Sequence, residues 1–469
     1  RRMTTLAPTH QRFVVHPINP PMYQDRFGQE ITSQSARAVE LYDDAVDRMF
    51  ALQPGSDILI DEALGLDPTF ALGQCAKARA LAGNGDNAQA RDHAARGRDL
   101  AAHLPERERR HAEIVSLVFH GESMTALEAV REHAAAYPRD PVPLSFALGV
   151  YGLFGFGGFK DFRERQVELL ETVAHAYGQD DWWFLASYGW ALVEAGRSGE
   201  GIPMLDRALT LRPDNANAAH GRVHGYYEQG AAQEGEAFIE AWLPGYDRGA
   251  ILHAHLAWHQ ALFALQRGEM ERAQAIYEDS IRPAVSQTLP MFTMVDCASF
   301  LLRASMAGCN FDPEQWEEVL RLVEDRFSKP GIPFVNTHLA MVYGGVEDGE
   351  AMKNLEQGVA NLLDEGKQPS GSVVADICSG IAAYGKGRYR DAAEVFRRAA
   401  PELARLGGSN AQRDVYIDLA VSASVRAGEF EAAREVAKRR WTRRAGHLNE
   451  AWLDRLCGGE TRVRSAQTS

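Results

Sequence analysis

Four histidines stand in two pairs of identical spacing. His220 and His224 form one HxxxH, and His255 and His259 form a second, offset from the first by 35 residues. On a helix, positions i and i+4 lie one above the other on the same face, so each pair presents two imidazoles to one point. An offset close to one structural repeat puts the pairs at matching heights on neighbouring helices, whose axes pack roughly 8–10 Å apart. Two imidazoles from each side then reach a common centre. Imidazole is the commonest metal-binding side chain near neutral pH and suits zinc, iron, copper and nickel. The metal expected here is a transition metal such as zinc or iron, held by His220, His224, His255 and His259. Clustered neutral histidines would equally bind an anionic or polar small molecule.

The bland reading of any one of these histidines is a satisfied core residue; four in register favour a site. The register has a flaw. Counted from Gly221 as the small residue of a first helix, His220 and His224 fall at packing sites. Counted from Gly268, His255 and His259 fall nearer a ligand-facing edge. An insertion of one or two residues within 230–235 would reconcile the counts. Neither pair encloses the Glu of a zincin, and neither belongs to a Glu-x-x-His di-iron motif.

Other polar groups stand where they would serve such a centre. Asp296 lies in the apolar run 294–302, where a buried carboxylate needs a partner, with Arg303 seven residues on along the same face. Glu228 follows His224 by one turn. Asn336 and His338 fall in an expected loop over 331–338. Asn410, Gln412, Arg413 and Asp414 follow Gly407-Gly408 at a helix start, where Ser409 or Asn410 would also serve as a simple cap. Asp296, His338, Asp414 and Arg413 are the candidate catalytic or supporting residues, as acid, base or partners behind the metal ligands. His253 is expected on another face of its helix.

The elements that would position these residues are helical hairpins repeating at about 34 residues. The stretch from Leu185 to Pro213 carries Gly189 at the small position of a first helix, Gly196 at the turn, Leu205, Ala208 and Leu209 along the second helix, and Pro213 at its end. Gly380, Gly387, Tyr389, Ala392, Phe396 and Ala399 repeat the scheme. Further copies hold Gly268, Met270, Ala273 and Tyr277, then Gly428, Phe430 and Ala433. Weaker ones lie at 63–100 and 117–138. The expected fold is therefore all-α, an α-solenoid of tetratricopeptide-like hairpins over 33–457, capped at its start by Ser33. An irregular proline-broken arm (1–32) precedes it, and a polar tail (458–469) follows. The segment 151–159, rich in glycine and aromatics, reads as an ordinary connector or as a loop folded into the concave groove.

The chain has 469 residues, 45% of them apolar, and a formal net charge of −14. That balance, without a basic stripe, argues against nucleic acid as a partner. The short basic run 438–444 reads as a solvated helix end. No apolar run approaches the roughly 20 residues that span a bilayer, so no membrane partner is expected. Five cysteines, an odd number without a CxxC, fit separate reduced thiols and a cytoplasmic location.

The sequence resembles the tetratricopeptide repeat protein 38 family over about residues 33–440. The resemblance is carried by Leu406 to Tyr416, the two HxxxH pairs, Val295-Asp296, Asp67 to Phe70, and Asn336 to His338. It implies an α-solenoid in which the four histidines recur, and it brings no reaction with it. The family pattern has a further His where Tyr226 stands and a Glu where Tyr227 stands, which puts a role for Glu228 in doubt. Two functions follow from the residues. One is a small-molecule enzyme or binder with a histidine-lined pocket in the concave groove, where a metal would polarise substrate or activate water or oxygen. The other is an interaction scaffold holding a protein partner in that groove.

Overall fold

The structure, a computed structural model, describes residues 21–443 apart from 325, 326 and 328. Its body is a succession of antiparallel helical hairpins. Ala36–Ala51 pairs with Ser56–Leu66, Ala71–Gly83 with Asn87–Ala101, and Glu106–Phe119 with Ser123–Ala136. After an irregular passage the pattern resumes with Trp182–Glu194 and Ser198–Leu211, then Ala216–Gln229 and Ala232–Trp242, then His253–Arg267 and Met270–Ile276. Pro290–Ala307 with Pro313–Glu324, Pro333–Gly345 with Gly349–Asp364, Val373–Gly385 with Tyr389–Ala399, and Asn410–Arg426 with Phe430–Arg443 complete it. The fold is the expected all-α solenoid.

The repeat residues do the work their types suit them for. Gly196, Gly268, Gly387 and Gly428 close their turns at φ of 82°, 81°, 70° and 77°, a left-handed conformation that a Cβ would strain. At Gly189 a Cβ would sit 2.9 Å from both the Gly201 carbonyl oxygen and Leu205 Cγ, so only glycine lets the paired helices touch there. The core grows along the array. Phe263, fully buried, is one of many side chains whose removal from water each contributes roughly 1.5–3 kcal/mol.

Three local expectations are corrected. The described part of the arm is not irregular: Met22–Gln24 and Glu30–Thr32 form a small antiparallel hairpin with Tyr23 opposite Ile31. Asp25 Oδ1 closes its turn by accepting from the backbone N–H of Phe27 and Gln29 at 2.9 and 2.8 Å. The first long helix is capped by Ser35, whose hydroxyl accepts from the Ala38 N–H. Ser33 instead donates to Asp67 Oδ2 at 2.7 Å and ties the start of that helix to the end of Ser56–Leu66. The stretch 331–338 is not a loop throughout: helix begins at Pro333, where the missing N–H costs nothing. Residues 1–20 of the arm, the tail 458–469, Cys457 and the basic side chains after Lys438 lie outside the described residues.

The glycine-aromatic segment 151–159 folds inward. Tyr151 packs its ring against Phe156, Phe292 and Phe334 at 5.3, 5.6 and 6.0 Å between centroids. Its hydroxyl accepts from Gln412 Nε2 at 2.6 Å. Arg163 donates to Asn410 Oδ1 at 2.7 Å, and the Asn410 N–H donates to Glu194 Oε2 at 2.9 Å. At the other end, the Tyr246 hydroxyl donates to the Leu52 carbonyl at 2.6 Å. These contacts bring distant parts of the superhelix together around a half-open chamber. Among the described residues, no helix is long and apolar enough to cross a membrane.

Candidate metal centre and chamber

His220 and His224 lie on Ala216–Gln229, and His255 and His259 on His253–Arg267, the first helices of consecutive hairpins. The 35-residue offset is thus one repeat. Each residue of the first pair is followed by a glycine. A Cβ on Gly221 would meet Leu205 Cδ2 at 2.7 Å and one on Gly225 would meet Ile202 Cγ1 at 2.9 Å, so this helix lies tightly on Ser198–Leu211.

The four imidazoles converge. One ring nitrogen from each lies within 4.8 Å of the others. His224 and His259 are fully buried, and His220 and His255 are 5% and 8% exposed. The Nε2 atoms of His220 and His224 are 2.9 Å apart. Ring centroids stand 4.9 Å apart for His220 and His255 and 4.6 Å for His224 and His259.

Carboxylates stand behind two of the rings. Glu194 Oε1 lies 2.9 Å from His224 Nδ1. Asp296 accepts from His255 Nδ1 at 2.9 and 3.0 Å. Asp296 bonds Nδ1 of His255, and Glu194 stands at ion-pair distance from Nδ1 of His224 without hydrogen-bond geometry, so Nε2 of each ring is left for the centre, the usual way a metal-ligating histidine is oriented. Both nitrogens of His259 are buried with no hydrogen-bond partner, a costly state for polar atoms that an ion would relieve. Burial, reinforced by the neighbouring histidines, pushes the imidazoles of His220 and His259 well below their ordinary pKa. They are neutral at physiological pH, the form that ligates. Burial pulls the Glu194 carboxyl upward, but His224, then Arg413 and the Asn410 N–H, outweigh it and hold it below its ordinary value.

The donor set fits a transition ion. A tetrahedral zinc with bonds of about 2.0–2.1 Å holds its ligand atoms about 3.3 Å apart. Nitrogens spread over at most 4.8 Å need only modest rotation to close on it. Four imidazoles fill a tetrahedral shell, whereas iron with more positions would keep room for a substrate atom.

His220 and His255 also line the chamber, a cavity of about 520 Å³. Its walls include Phe50, Phe146, Tyr151, Trp183, Trp190 and Phe292. Trp190 rests against His220 and His224 at 5.2 and 6.0 Å between centroids, and Trp258 stacks on His255 at 5.1 Å. A ligand in the chamber meets the centre from the His220 and His255 side.

The other candidate residues are distributed differently. Asp296 is at the centre, as described. Asp414 stands one residue back: the Tyr227 hydroxyl donates to it at 3.0 Å, and the Tyr227 ring lies 6.5 Å from His259. Arg413 holds the turn before its own helix, donating to the carbonyls of Gly407 and Gly408 and to Asn410 Oδ1. Ser409 caps that helix in a reciprocal box with Gln412. Arg303 pairs with Asp418 at 3.3 Å rather than with Asp296. His338 is outside the four-imidazole cluster; it contacts its own helix at the Phe334 carbonyl, 2.8 Å, and burial drives its pKa down to about 4. Asn336 bonds back to Gly331. His253 stacks near Tyr246, away from the cluster, as expected. Glu228 is buried on the helix of the first pair.

No family model matches the chain. Among solved structures it is similar to the crystal structure of the yeast Tom70, at 12% identity and a TM-score of 0.31, over 92% of this chain and 90% of that one. It is also similar to the structure of Naa15/Naa10 bound to HypK-THB, at 12% identity and a TM-score of 0.25. That match covers 92% of this chain and 61% of the other.

Sequence reasoning did not single out Glu194, Trp190, Arg79 or Arg163. Glu194 carried little signal: it is a carboxylate at the last position of an apolar helix, Trp182–Glu194, where it passes for a solvated end. The two arginines carried none, because only the chamber gives them a setting.

Proposed function

We propose that this helical-repeat protein is a metalloprotein in which His220, His224, His255 and His259 hold one transition-metal ion, zinc or iron, at the wall of a small-molecule chamber. The observation that carries the reading is the convergence of four buried imidazoles with Glu194 and Asp296 behind two of them. Such an ion would act as a Lewis acid or lower the pKa of bound water. Asp414, through Tyr227, is a positioning residue in this reading, and His338 has no part in it. The same reading takes the chain as a member of the tetratricopeptide repeat protein 38 family, on the segment Leu406 to Tyr416 beside the centre.

The second reading, an interaction scaffold with a protein partner in the groove, draws on the architecture alone. Hairpin arrays offer extended concave surfaces. Here, however, residues from Met49 to Gln412 wall the interior, which suits a small molecule better than a peptide. Elemental analysis of protein purified without a histidine tag separates the two. About one equivalent of metal per chain is expected, with loss of the metal and retention of helical content in the His224→Ala/His255→Ala variant. Protein that stays metal-free after reconstitution with zinc and with ferrous iron would sink the metal reading and leave the scaffold.

A further inference from the structure

The chamber has a charge that its surroundings do not explain. The chain carries a net charge of −14, yet the charged residues on the chamber wall are two arginines, Arg79 and Arg163, and one carboxylate, Glu194. Glu194 is already engaged by His224 and the Asn410 N–H. Neither arginine has a carboxylate within 4.0 Å among the described residues.

Arg79 is the more exposed to this imbalance. It lies on Ala71–Gly83, and its guanidinium donates to the Ser145 hydroxyl. It sits over the rings of Phe146 and Phe50, at 5.0 and 5.6 Å from their centroids. Burial pulls its pKa down to about 10, and no carboxylate opposes that pull; only the Tyr42 phenol does. It remains a cation at neutral pH, desolvated and held by ring faces and one hydroxyl. Arg163 keeps a buried Nε without a partner. Both arginines are half-buried, a guanidinium drawn from water without a counter-charge is costly, and the fork of an arginine matches a carboxylate bidentately.

We propose that the chamber binds a small aromatic carboxylate, with its carboxylate on Arg79 and its ring body among Phe50, Phe146, Trp183 and Trp190. The volume, about 520 Å³, is in the range that holds such molecules. Aromatic walls favour a ring-bearing body through offset and edge-to-face contacts. The inference deepens the metal-centre reading by naming the class of molecule that shares its chamber. The carboxylate recognition rests on Arg79 and not on the ion.

Isothermal titration of the full chain with 1-naphthylacetate and with its neutral counterpart 2-(1-naphthyl)ethanol tests it. The acid is expected to bind at least tenfold more tightly than the alcohol. Arg79→Gln should reduce that preference to under twofold with alcohol affinity unchanged, and Arg79→Lys should keep part of it. Equal affinity for acid and alcohol in the unsubstituted protein, no binding of either, or a preference that survives Arg79→Gln overturns the proposal. The metal reading fails separately. Protein that holds metal but shows no acid preference overturns only the carboxylate inference, and protein that prefers the acid without holding metal overturns only the metal centre.

Discussion

Asp140 sits at the middle of its cluster, whereas Glu194 and Asp296 sit at the edge of theirs. Both clusters are buried and both combine histidines with carboxylates. Around Asp140, three donors point inward to one acceptor: Arg107 at 2.8 Å, His111 at 3.1 Å and His133 at 3.1 Å. Burial alone would raise the Asp140 carboxyl, but His111 and Arg107 outweigh it and hold it well below its ordinary range. Around His224 and His259 the order is reversed. The carboxylates take ring nitrogens from outside, and the remaining nitrogens face one another. The first arrangement gives its central acceptor donors from three side chains and staples helices together, while His111 Nε2 and His133 Nδ1 point away from it without a partner. The second brings several lone pairs to one point, which is stable only with a proton or a cation between them. Composition does not tell a staple from a candidate metal centre; the placing of carboxylates inside or outside the ring of imidazoles does.

The largest expected effect breaks the staple. Asp140→Ala leaves Arg107 buried without its counter-charge and should cost about 3–5 kcal/mol in urea unfolding. Metal stoichiometry in the folded fraction should not change. A fall in stoichiometry would mean that the two clusters are coupled and the contrast is false. Next come the carboxylates of the second cluster. Glu194→Gln and Asp296→Asn should each weaken metal binding about 10–100-fold while leaving one equivalent at saturation, as read by competition with a chromophoric chelator. Unchanged affinity in both variants would mean that these groups do not orient the ligands.

The smallest effect concerns a histidine in neither arrangement. His338 is buried and alone, with its pKa lowered from 6.5 to about 4. As pH falls below 6.5 the unfolded chain takes up this proton first, so the group's contribution drains stability down to pH of about 4. Between pH 7 and 5.5 that amounts to about 1 kcal/mol. His338→Gln should remove that part of the slope in urea midpoints measured at the two pH values. Identical slopes would show that the imidazole titrates normally and is not sealed from water.

Much of this site was legible before any coordinates. The convergence of the histidines follows from two local periods, four residues along a helix and one repeat between helices, and both are printed in the chain. Asp296 was legible because a carboxylate inside an apolar run has few ways to be satisfied. Glu194 had the same chemistry but sits at the last position of its helix, where a carboxylate passes for a solvated end. Its burial depends on Asn410, 216 residues away, and nothing local announces such a contact. His338 is expected in a loop over 331–338, whereas Pro333 occupies the first turn of the helix that carries it. Arg79 lies between Ala78 and Ala80 on a helix and becomes unusual only once the segment 146–156 closes over it.

The bond between Asn410 and Glu194 also sets a schedule. During synthesis all four imidazoles leave the ribosome with His259, 151 residues before Asn410 follows. At about 5–20 residues per second that gap lasts roughly 8–30 s. Throughout it the chamber lacks the part of its wall that Ser409 and Gln412 supply, and Glu194 lacks the Asn410 N–H. If the centre holds an ion as proposed, capture of that ion and the docking of the last hairpins against Glu194 would be separate events, the second following the first.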